Sequence, residues 1–340
     1  MPVRDPGICA APPCLARALG GLACAAVLLA ILALNVGAGP VWPSGGSTWA
    51  EWRTSPAAAL LWEWRAPRVA MAFLVGACLA MSGLIFQGVF RNPLAEPYLL
   101  GSAAGAGLGA ACAMLLPEFL PRGIGLPLLA FVGAWGSSLA VLVLGAARPG
   151  TGTGRLLLAG VALAAILAAL RSLIVLLFGD ESTNLRALVS WQMGGIQTPT
   201  WREWGVLLGV TLSILGLCRH LGPGLDALGL GEEMAHSMGI RVPAFCRCAI
   251  VVAALATAVA VAWGGLIGFV GLIVPHLARW WLGPLHARLA PAVALAGGAL
   301  MVLVDAVARS ALPPSEIPAG LLTALIGGPF FLFLLLREGR

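Results

Sequence analysis

The sequence has 340 residues, of which 60% are hydrophobic and only 10% are charged, and its mean hydropathy is +0.96. Because soluble domains carry about 25% charged residues, this composition excludes an ordinary soluble fold. The net charge is +6 and every basic residue is an arginine, so the chain lacks the lysine with which a P-loop ATPase reaches nucleotide phosphates. The positive excess suits anionic lipid or an acidic protein partner rather than nucleic acid.

Apolar runs recur along the whole chain, and each is long enough to cross a hydrocarbon core of about 30 Å as a helix. Helices are expected rather than a barrel, because the runs show no polar–apolar alternation. The ten predicted spans cover residues 18–38, 67–88, 98–116, 126–146, 156–178, 204–219, 247–263, 266–282, 289–311 and 318–336. The sequence therefore predicts an all-α, polytopic membrane protein with a single transmembrane domain over residues 1–340.

The first span shares features with a signal peptide, since Arg4 and Arg17 precede it and Val36-Gly37-Ala38 follow it. Its removal would leave nine spans, and we expect a membrane protein either way. An N-terminus in the cytoplasm puts the C-terminus there too, with twelve arginines inside and seven outside. The positive-inside rule favours this topology.

Two predicted outer connections are longer than turns. Residues 180–203 are expected to include a short helix at the surface. Residues 39–65 are expected to form an interfacial aromatic belt. The belt residues are Trp42, Trp49, Trp52, Trp62 and Trp64.

The largest inner loop, residues 220–246, has the pattern of one or two short amphipathic helices. Asp226 is the expected N-cap, glycines 229 and 231 the interruption, and Gly239 the end. One helical face is predicted to carry Ala227, Leu230, Met234 and Met238. Such helices either rest on lipid headgroups or bind a protein, and Glu232 and Glu233 on the polar face favour the protein.

The segment GFVGLIVPHLARWW, residues 268–281, places a histidine and an arginine inside an apolar run. Its glycines predict close helix approach and a break between the seventh and eighth spans, with Pro275 bending the eighth. His276 has no metal-ligand or catalytic partner at a suitable spacing, so a structural histidine is predicted. The eight cysteines show no paired spacing and are interpreted as packing residues.

Five segments then point to a family. In chain order they are RAPRVAMAFLVGACLAMSGLIFQGVFRNPLAEPYLLG (65–101), RLLLAGVAL (155–163), GLGEEMAHSMGI (229–240), GGLIGFVGLIVPHLAR (264–279) and PPSEIPAGLLTALIGGPFFLFLL (313–335). Together they closely resemble the FecCD family, the permease subunits of ABC importers for iron siderophores, haem and cobalamin, and most closely its cobalamin branch. The resemblance covers about residues 60 to 340.

The resemblance implies a type II ABC importer permease fold in a bacterial or archaeal cytoplasmic membrane. It implies a transport subunit that is not an enzyme, binds no cofactor and pairs with a second copy or a paralogue, a homodimer being our default. A periplasmic or lipid-anchored binding protein would deliver the chelate, and two separate ATPase subunits would use ATP and Mg. The motifs do not distinguish the three classes of chelate.

The resemblance also assigns roles to residues of this chain. ATPase coupling would involve the 220–246 loop through Leu228, Gly231, Glu232, Met234 and Gly239. Docking of the binding protein would involve Arg65, Arg68 and Arg309, and the translocation path and gate Thr153, Gly154 and Arg171. Gly154 departs from the hydroxyl residue of the cobalamin branch, which weakens the gate assignment.

Alternatives accompany these roles. Arg65 and Arg68 would otherwise anchor the chain at the membrane–water interface. Arg309 would otherwise pair with Asp305, one helical turn earlier. Arg171 would otherwise pair with Asp180 or Glu181. An ion-coupled secondary transporter is the alternative function, with Asp305 as its only clear intramembrane carboxylate. An intramembrane enzyme is disfavoured, because the sequence has no paired-carboxylate or metal pattern.

Overall fold

The computed structural model describes residues 12–36, 49–115, 125–145, 153–179, 183–312 and 315–338. Within these ranges the chain is helical, apart from loops and one isolated bridge between Leu312 and Ser315. In chain order the helices are α1 (Pro12–Leu34), α2 (Trp49–Arg53), α3 (Pro56–Ala59), α4 (Ala66–Phe90), α5 (Ser102–Leu115), α6 (Gly125–Gly145), α7 (Thr153–Phe178), α8 (Thr183–Gln192), α9 (Trp201–Gly229), α10 (Glu232–Ser237), α11 (Val242–Gly264), α12 (Val270–Leu282), α13 (His286–Ser310) and α14 (Ala319–Glu338). A π-helical turn, Leu60–Arg65, leads into α4, and a 3-10 turn, Pro97–Leu100, precedes α5.

Every predicted span contains a helix: α1, α4, α5, α6, α7, α9, α11, α12, α13 and α14. In the described ranges, seven helical segments are long and apolar enough to cross a membrane. Two others are short, because α5 has 14 residues and α12 has 13. At 1.5 Å per residue each is about 20 Å long, less than a hydrocarbon core of about 30 Å.

Helix α4 is the centre of the bundle and packs against α9, α11, α12 and α13. Two pairs of glycines bring its backbone close to its neighbours. A Cβ on Gly76 would collide with the carbonyl of Gly297 in α13, and a Cβ on Gly83 with the carbonyl of Gly271 in α12. Small residues at such crossings are the usual means of close helix approach in membranes.

The predicted break between the seventh and eighth spans is confirmed, and it lies between α11 and α12. Gly265 and Phe269 take left-handed φ values of 68° and 67°. The Phe269 N–H donates to Glu96 Oε1 at 2.8 Å, and the Tyr98 hydroxyl bonds both the N–H and the carbonyl of Ile267 at 2.9 Å. These bonds supply polar partners to the unwound backbone, as non-helical backbone within a membrane protein requires.

Helix α9 runs ten residues beyond its predicted end. It begins with a capping box between Thr200 and Glu203 and continues through Pro223 to Gly229. Asp226 lies in its last turns, so the prediction of an N-cap at Asp226 is wrong. Packing extends the helix, because Gly222 lies directly against the backbone of Ala287 in α13.

Candidate functional site

One end of the bundle, here the α10 end, carries the short helix predicted to contact a partner. Gly231 precedes α10 with φ 118° and Gly239 follows it with φ 86°, so the predicted interruption near Gly229 and Gly231 and the predicted end at Gly239 are confirmed. After Met238, the Ile240 N–H bonds the Ala235 carbonyl at 3.0 Å, which closes the helix end. Gly231 and Gly239, both with positive φ, therefore separate α10 from α9 before it and from α11 after it.

Helix α10 is fastened to the bundle from two directions. On its inner side Ala235 packs with Ala227 and Leu228 in a small buried cluster. On its outer side Glu232 Oε1 accepts from Arg91 Nη2 at 2.8 Å, and Arg91 ends α4 with φ 50°. The central helix and α10 are therefore joined directly.

The outward surface of the α10 end carries three large apolar side chains beside the exposed Glu232, Glu233 and His236. Leu230, Met234 and Met238 are 71%, 50% and 61% exposed. The sequence grouped Ala227 with these residues, but Ala227 is buried because it belongs to α9. Among the predicted coupling residues, Glu232 and Met234 lie on this surface. Leu228 is buried and supports the surface from beneath.

A second polar contact at this end was not predicted. Asp226 Oδ1 lies 2.6 Å from His286 Nδ1 and accepts from the His286 backbone N–H at 2.9 Å. It caps the start of α13 with a carboxylate, which the helix dipole favours. Since the two residues are 60 positions apart, no local pattern could have revealed the pair.

His276 packs against two aromatic side chains. Its centroid lies 4.8 Å from that of Trp280 and 6.1 Å from that of Phe330, both edge to face. The nearby Arg279 donates to the side-chain carbonyl of Gln87 in α4. No group of three His, Cys, Asp or Glu side chains that could hold a metal is found among the described residues.

The three arginines predicted to dock a binding protein meet at the opposite end of the bundle. Asp305, 1% exposed, accepts from Arg68 Nε at 3.1 Å and from Arg309 Nε at 2.9 Å. The predicted alternative pairing of Arg309 with Asp305 is therefore present. Glu316 forms a two-point contact with the outer edge of the Arg68 guanidinium, at 3.2 and 2.7 Å.

Arg65 and Arg309 also hold the end of α1. Arg65 donates to the Leu34 carbonyl at 3.1 Å, and Arg309 donates to the carbonyls of Ala33 and Val36 at 3.3 and 3.0 Å. Cations at a helix C-terminus satisfy its free carbonyls. Arg65 is buried, as is most of Arg309, so Arg68 with Glu316 is the part of this cluster that reaches the surface.

The predicted path residues lie on α7. Thr153 and Gly154 form its first turn, and Arg171 lies near its other end. Arg171 Nη1 lies against α5, since a Cβ on Gly107 would be 3.1 Å from it. No described carboxylate pairs with Arg171, and the alternative partners Asp180 and Glu181 lie outside the described residues.

Helix α7 is the least covered of the long helices. None of its most apolar window is buried, although it packs on α5 and α6. Leu158, Val161, Leu173 and Leu176 are exposed on it. This apolar helix, which carries Arg171, is thus covered on one side only.

The aromatic belt is confirmed in part, at the end opposite α10. Trp62 and Trp64 are exposed, and the Trp201 indole N–H donates to the Trp62 carbonyl at 2.8 Å. Trp52 is instead 3% exposed, because it packs on Ala58 and Leu61. Trp42 lies outside the described residues, as does the side chain of Trp49. The predicted surface helix is present as α8.

Among the described residues, ten helices coincide with the predicted spans and seven helical segments are long and apolar enough to cross a membrane, so the chain is a polytopic membrane protein. It belongs to the FecCD transport family, whose sequence model matches residues 25–337. The vitamin B12 import system permease protein BtuC of Escherichia coli strain K12 is 38% identical over 320 residues, which is 94% of this chain and 95% of that protein. BtuC of Escherichia coli O17:K52:H18 has the same identity and coverage.

Solved structures agree. The chain matches a transporter described as of the metal-chelate ABC type, in an inward-facing conformation, with a TM-score of 0.80 and 31% identity over 95% of this chain and 99% of that one. PsaBC of Streptococcus pneumoniae, solved with a Fab, shares the fold at a TM-score of 0.55 and 17% identity, over 81% and 92% of the two chains. The fold is that of a type II ABC importer permease, and the chain is a transport component rather than an enzyme.

Proposed function

We propose that this chain is the permease subunit of an ATP-driven importer that carries a metal chelate, either an iron siderophore, haem or cobalamin, across the cytoplasmic membrane. The likeness to vitamin B12 permeases and to a transporter of the metal-chelate type supports this substrate class. In this proposal residues 1–340 are one transmembrane domain, with both termini and the α10 end in the cytoplasm. The chain itself binds no cofactor.

The observation that carries the proposal is the construction of the α10 end. An exposed apolar face, Leu230, Met234 and Met238, is mounted on a short helix that is joined to the central helix through Arg91 and Glu232. Exposed apolar clusters of this kind are typical of protein contact sites. Two ATPase subunits, which use ATP and Mg, would dock here, and their movement would reach α4 through this contact.

The path for the chelate would run beside α7. A second copy of the chain would cover the exposed α7 surface, so that the ligand passes between two copies. Arg171 would offer a positive charge to an anionic chelate, since ionisable residues inside transmembrane helices commonly mark substrate pathways. Thr153 and Gly154, in the first turn, would lie at the cytoplasmic gate.

Arg68 and Glu316 offer a surface for a periplasmic or lipid-anchored binding protein. Arginine binds carboxylates in two-point fashion, and Arg68 already makes that contact with Glu316. Arg65 and Arg309 would support the surface by holding α1 in place. The guanidinium groups of Arg65 and Arg309 donate to the α1 carbonyls. Of the three arginines, we therefore assign direct contact with the binding protein to Arg68.

The ion-coupled alternative is not favoured by the surroundings of Asp305. Both carboxylate oxygens accept from arginines, so neither is left for a coupling cation. A carboxylate that carries ions must instead change partners during the cycle. Asp305 therefore has a structural role between α4 and α13.

Uptake into vesicles tests the proposal. The chain, its co-purifying ATPase and its binding protein are reconstituted, and labelled cobalamin, haem and a ferric siderophore are offered in parallel. We expect uptake of one ligand that requires both ATP and the binding protein. Uptake that ignores ATP and follows a proton or sodium gradient would contradict the importer assignment.

A further inference from the structure

At the tryptophan end of the bundle, three helices leave a groove between them. It has a volume of about 290 Å³ and lies between the start of α6, the start of α9 and the end of α11. Leu128 and Phe131 form one wall, and Leu207 and Val259 are part of the others. Among its described lining residues, Glu203 is the only charged one.

Glu203 lines this groove, and one of its two carboxylate oxygens has no partner among the described residues. Its Oε2 accepts from the N–H and the hydroxyl of Thr200 at 2.8 and 2.9 Å, which completes the capping box of α9. Its Oε1 accepts no hydrogen bond from any described residue. Because Glu203 is partly exposed, this oxygen is available to a cationic group that enters the groove.

The position of the groove indicates the source of that cation. Trp201 and Trp204 flank Glu203 on α9, and Trp201 bonds the exposed segment of Trp62. Tryptophans of this kind mark the level of the lipid headgroups. A molecule in the groove therefore has its apolar part at the depth of the acyl chains and its polar part beside Glu203.

We propose that this groove binds a phospholipid with an ammonium headgroup, of the phosphatidylethanolamine type. One acyl chain lies along Leu128, Phe131 and Leu207, and the ammonium group donates to Glu203 Oε1. The ring of Trp263 adds a face for the same cation. The site is independent of the transport cycle, and its lipid is a bound component of the membrane rather than cargo.

Native mass spectrometry of the purified full chain, with whatever subunits remain bound, tests the site. Phosphatidylethanolamine and phosphatidylglycerol are titrated separately, and the affinities of the tightest adducts are compared. We expect a preference of about fivefold for phosphatidylethanolamine, the size of one partly exposed ion pair. Equal affinities for the two lipids would overturn the proposal.

Two variants separate the site from general charge effects. Glu203→Gln keeps the capping box, since glutamine also serves at this position. This variant should bind phosphatidylethanolamine and phosphatidylglycerol with about equal affinity. Glu63→Gln removes an exposed carboxylate of the same belt and should leave the preference unchanged. An unchanged preference in Glu203→Gln, or an equal loss in Glu63→Gln, would contradict the assignment.

A third variant and a soluble probe test the apolar part. Leu128 is 51% exposed at the rim, so Leu128→Trp should fill the groove without disturbing the core and should weaken the phosphatidylethanolamine adduct. Glycerophosphoethanolamine has the same headgroup without acyl chains and should not bind measurably. Undiminished binding to Leu128→Trp, or binding of the soluble probe as tight as that of the lipid, would show that the groove does not hold an acyl chain.

Discussion

Arg91, the C-cap of the central helix, and Glu232, the first residue of α10, form an ion pair with Nη2 2.8 Å from Oε1. Both side chains are partly exposed, so the pair contributes at most about 1 kcal/mol to the free energy of unfolding. The pair matters for coupling rather than for stability, because it is a direct ionic contact between the helix at the centre of the bundle and the proposed ATPase surface.

Exchanging these two charges tests that connection. Arg91→Glu should lower ATP-dependent uptake because two carboxylates then face each other, while thermal unfolding changes little. The double variant Arg91→Glu with Glu232→Arg should recover much of the uptake. Failure of the double variant to improve on the single one would show that the pair does not carry the coupling.

Met234 tests the apolar face itself. Met234→Asp places a charge in the centre of the proposed contact, so the ATPase subunit should no longer co-purify with the permease. Glu233→Gln, a change at the exposed residue next to Met234 in α10, is the matched control and should retain the ATPase subunit. Co-purification of the ATPase with Met234→Asp would remove α10 from the contact.

Asp305 and Glu316 contact the same arginine at different depths, so they should differ in their effect on stability. Asp305→Asn removes the charge from a buried group between two arginines and should cost about 3–5 kcal/mol. Glu316→Gln, at a side chain that is 53% exposed, should cost less than about 1 kcal/mol after screening by solvent. Thermal unfolding of both variants in one detergent measures the difference, and equal shifts would contradict it.

The glycine contact of α4 with α12 offers a test of packing alone. Gly83→Ala puts a methyl group into the carbonyl of Gly271 and should destabilise the protein by about 1–3 kcal/mol or more. Gly136→Ala, in α6, meets nothing within 4 Å and should be neutral or slightly stabilising. Similar unfolding temperatures for the two variants would argue against the close crossing.

Arg171 tests the proposed path. Arg171→Gln should lower the uptake of an anionic chelate while the basal ATP hydrolysis of the complex stays unchanged, because the charge acts on the ligand. Arg186→Gln, at an exposed arginine of α8, is the control. Equal uptake by the wild type and Arg171→Gln would exclude the arginine from the path.

The fold was predictable because span length and hydropathy are local properties of the chain. The break before α12 and the chain breaks at the glycines around α10 were predictable for the same reason, because Gly and Pro change the backbone conformation at their own positions. The pairing of Arg309 with Asp305, one turn apart, was also predictable. The distant partners of charged residues were not, because Asp226 with His286 and Arg68 with Glu316 are 60 and 248 positions apart. The burial of Leu228 and the internal bonds of Arg65 likewise follow from the packing of α9 and α1.

The contacts of Glu96 and Tyr98 with the break before α12 have a consequence for biogenesis. Tyr98 precedes Ile267 by 169 residues and Glu96 precedes Phe269 by 173. Since a chain is made from its N-terminus, the two side chains have already left the ribosome when the break emerges. The unwound backbone therefore enters a membrane in which its hydrogen-bond partners have been synthesised in advance.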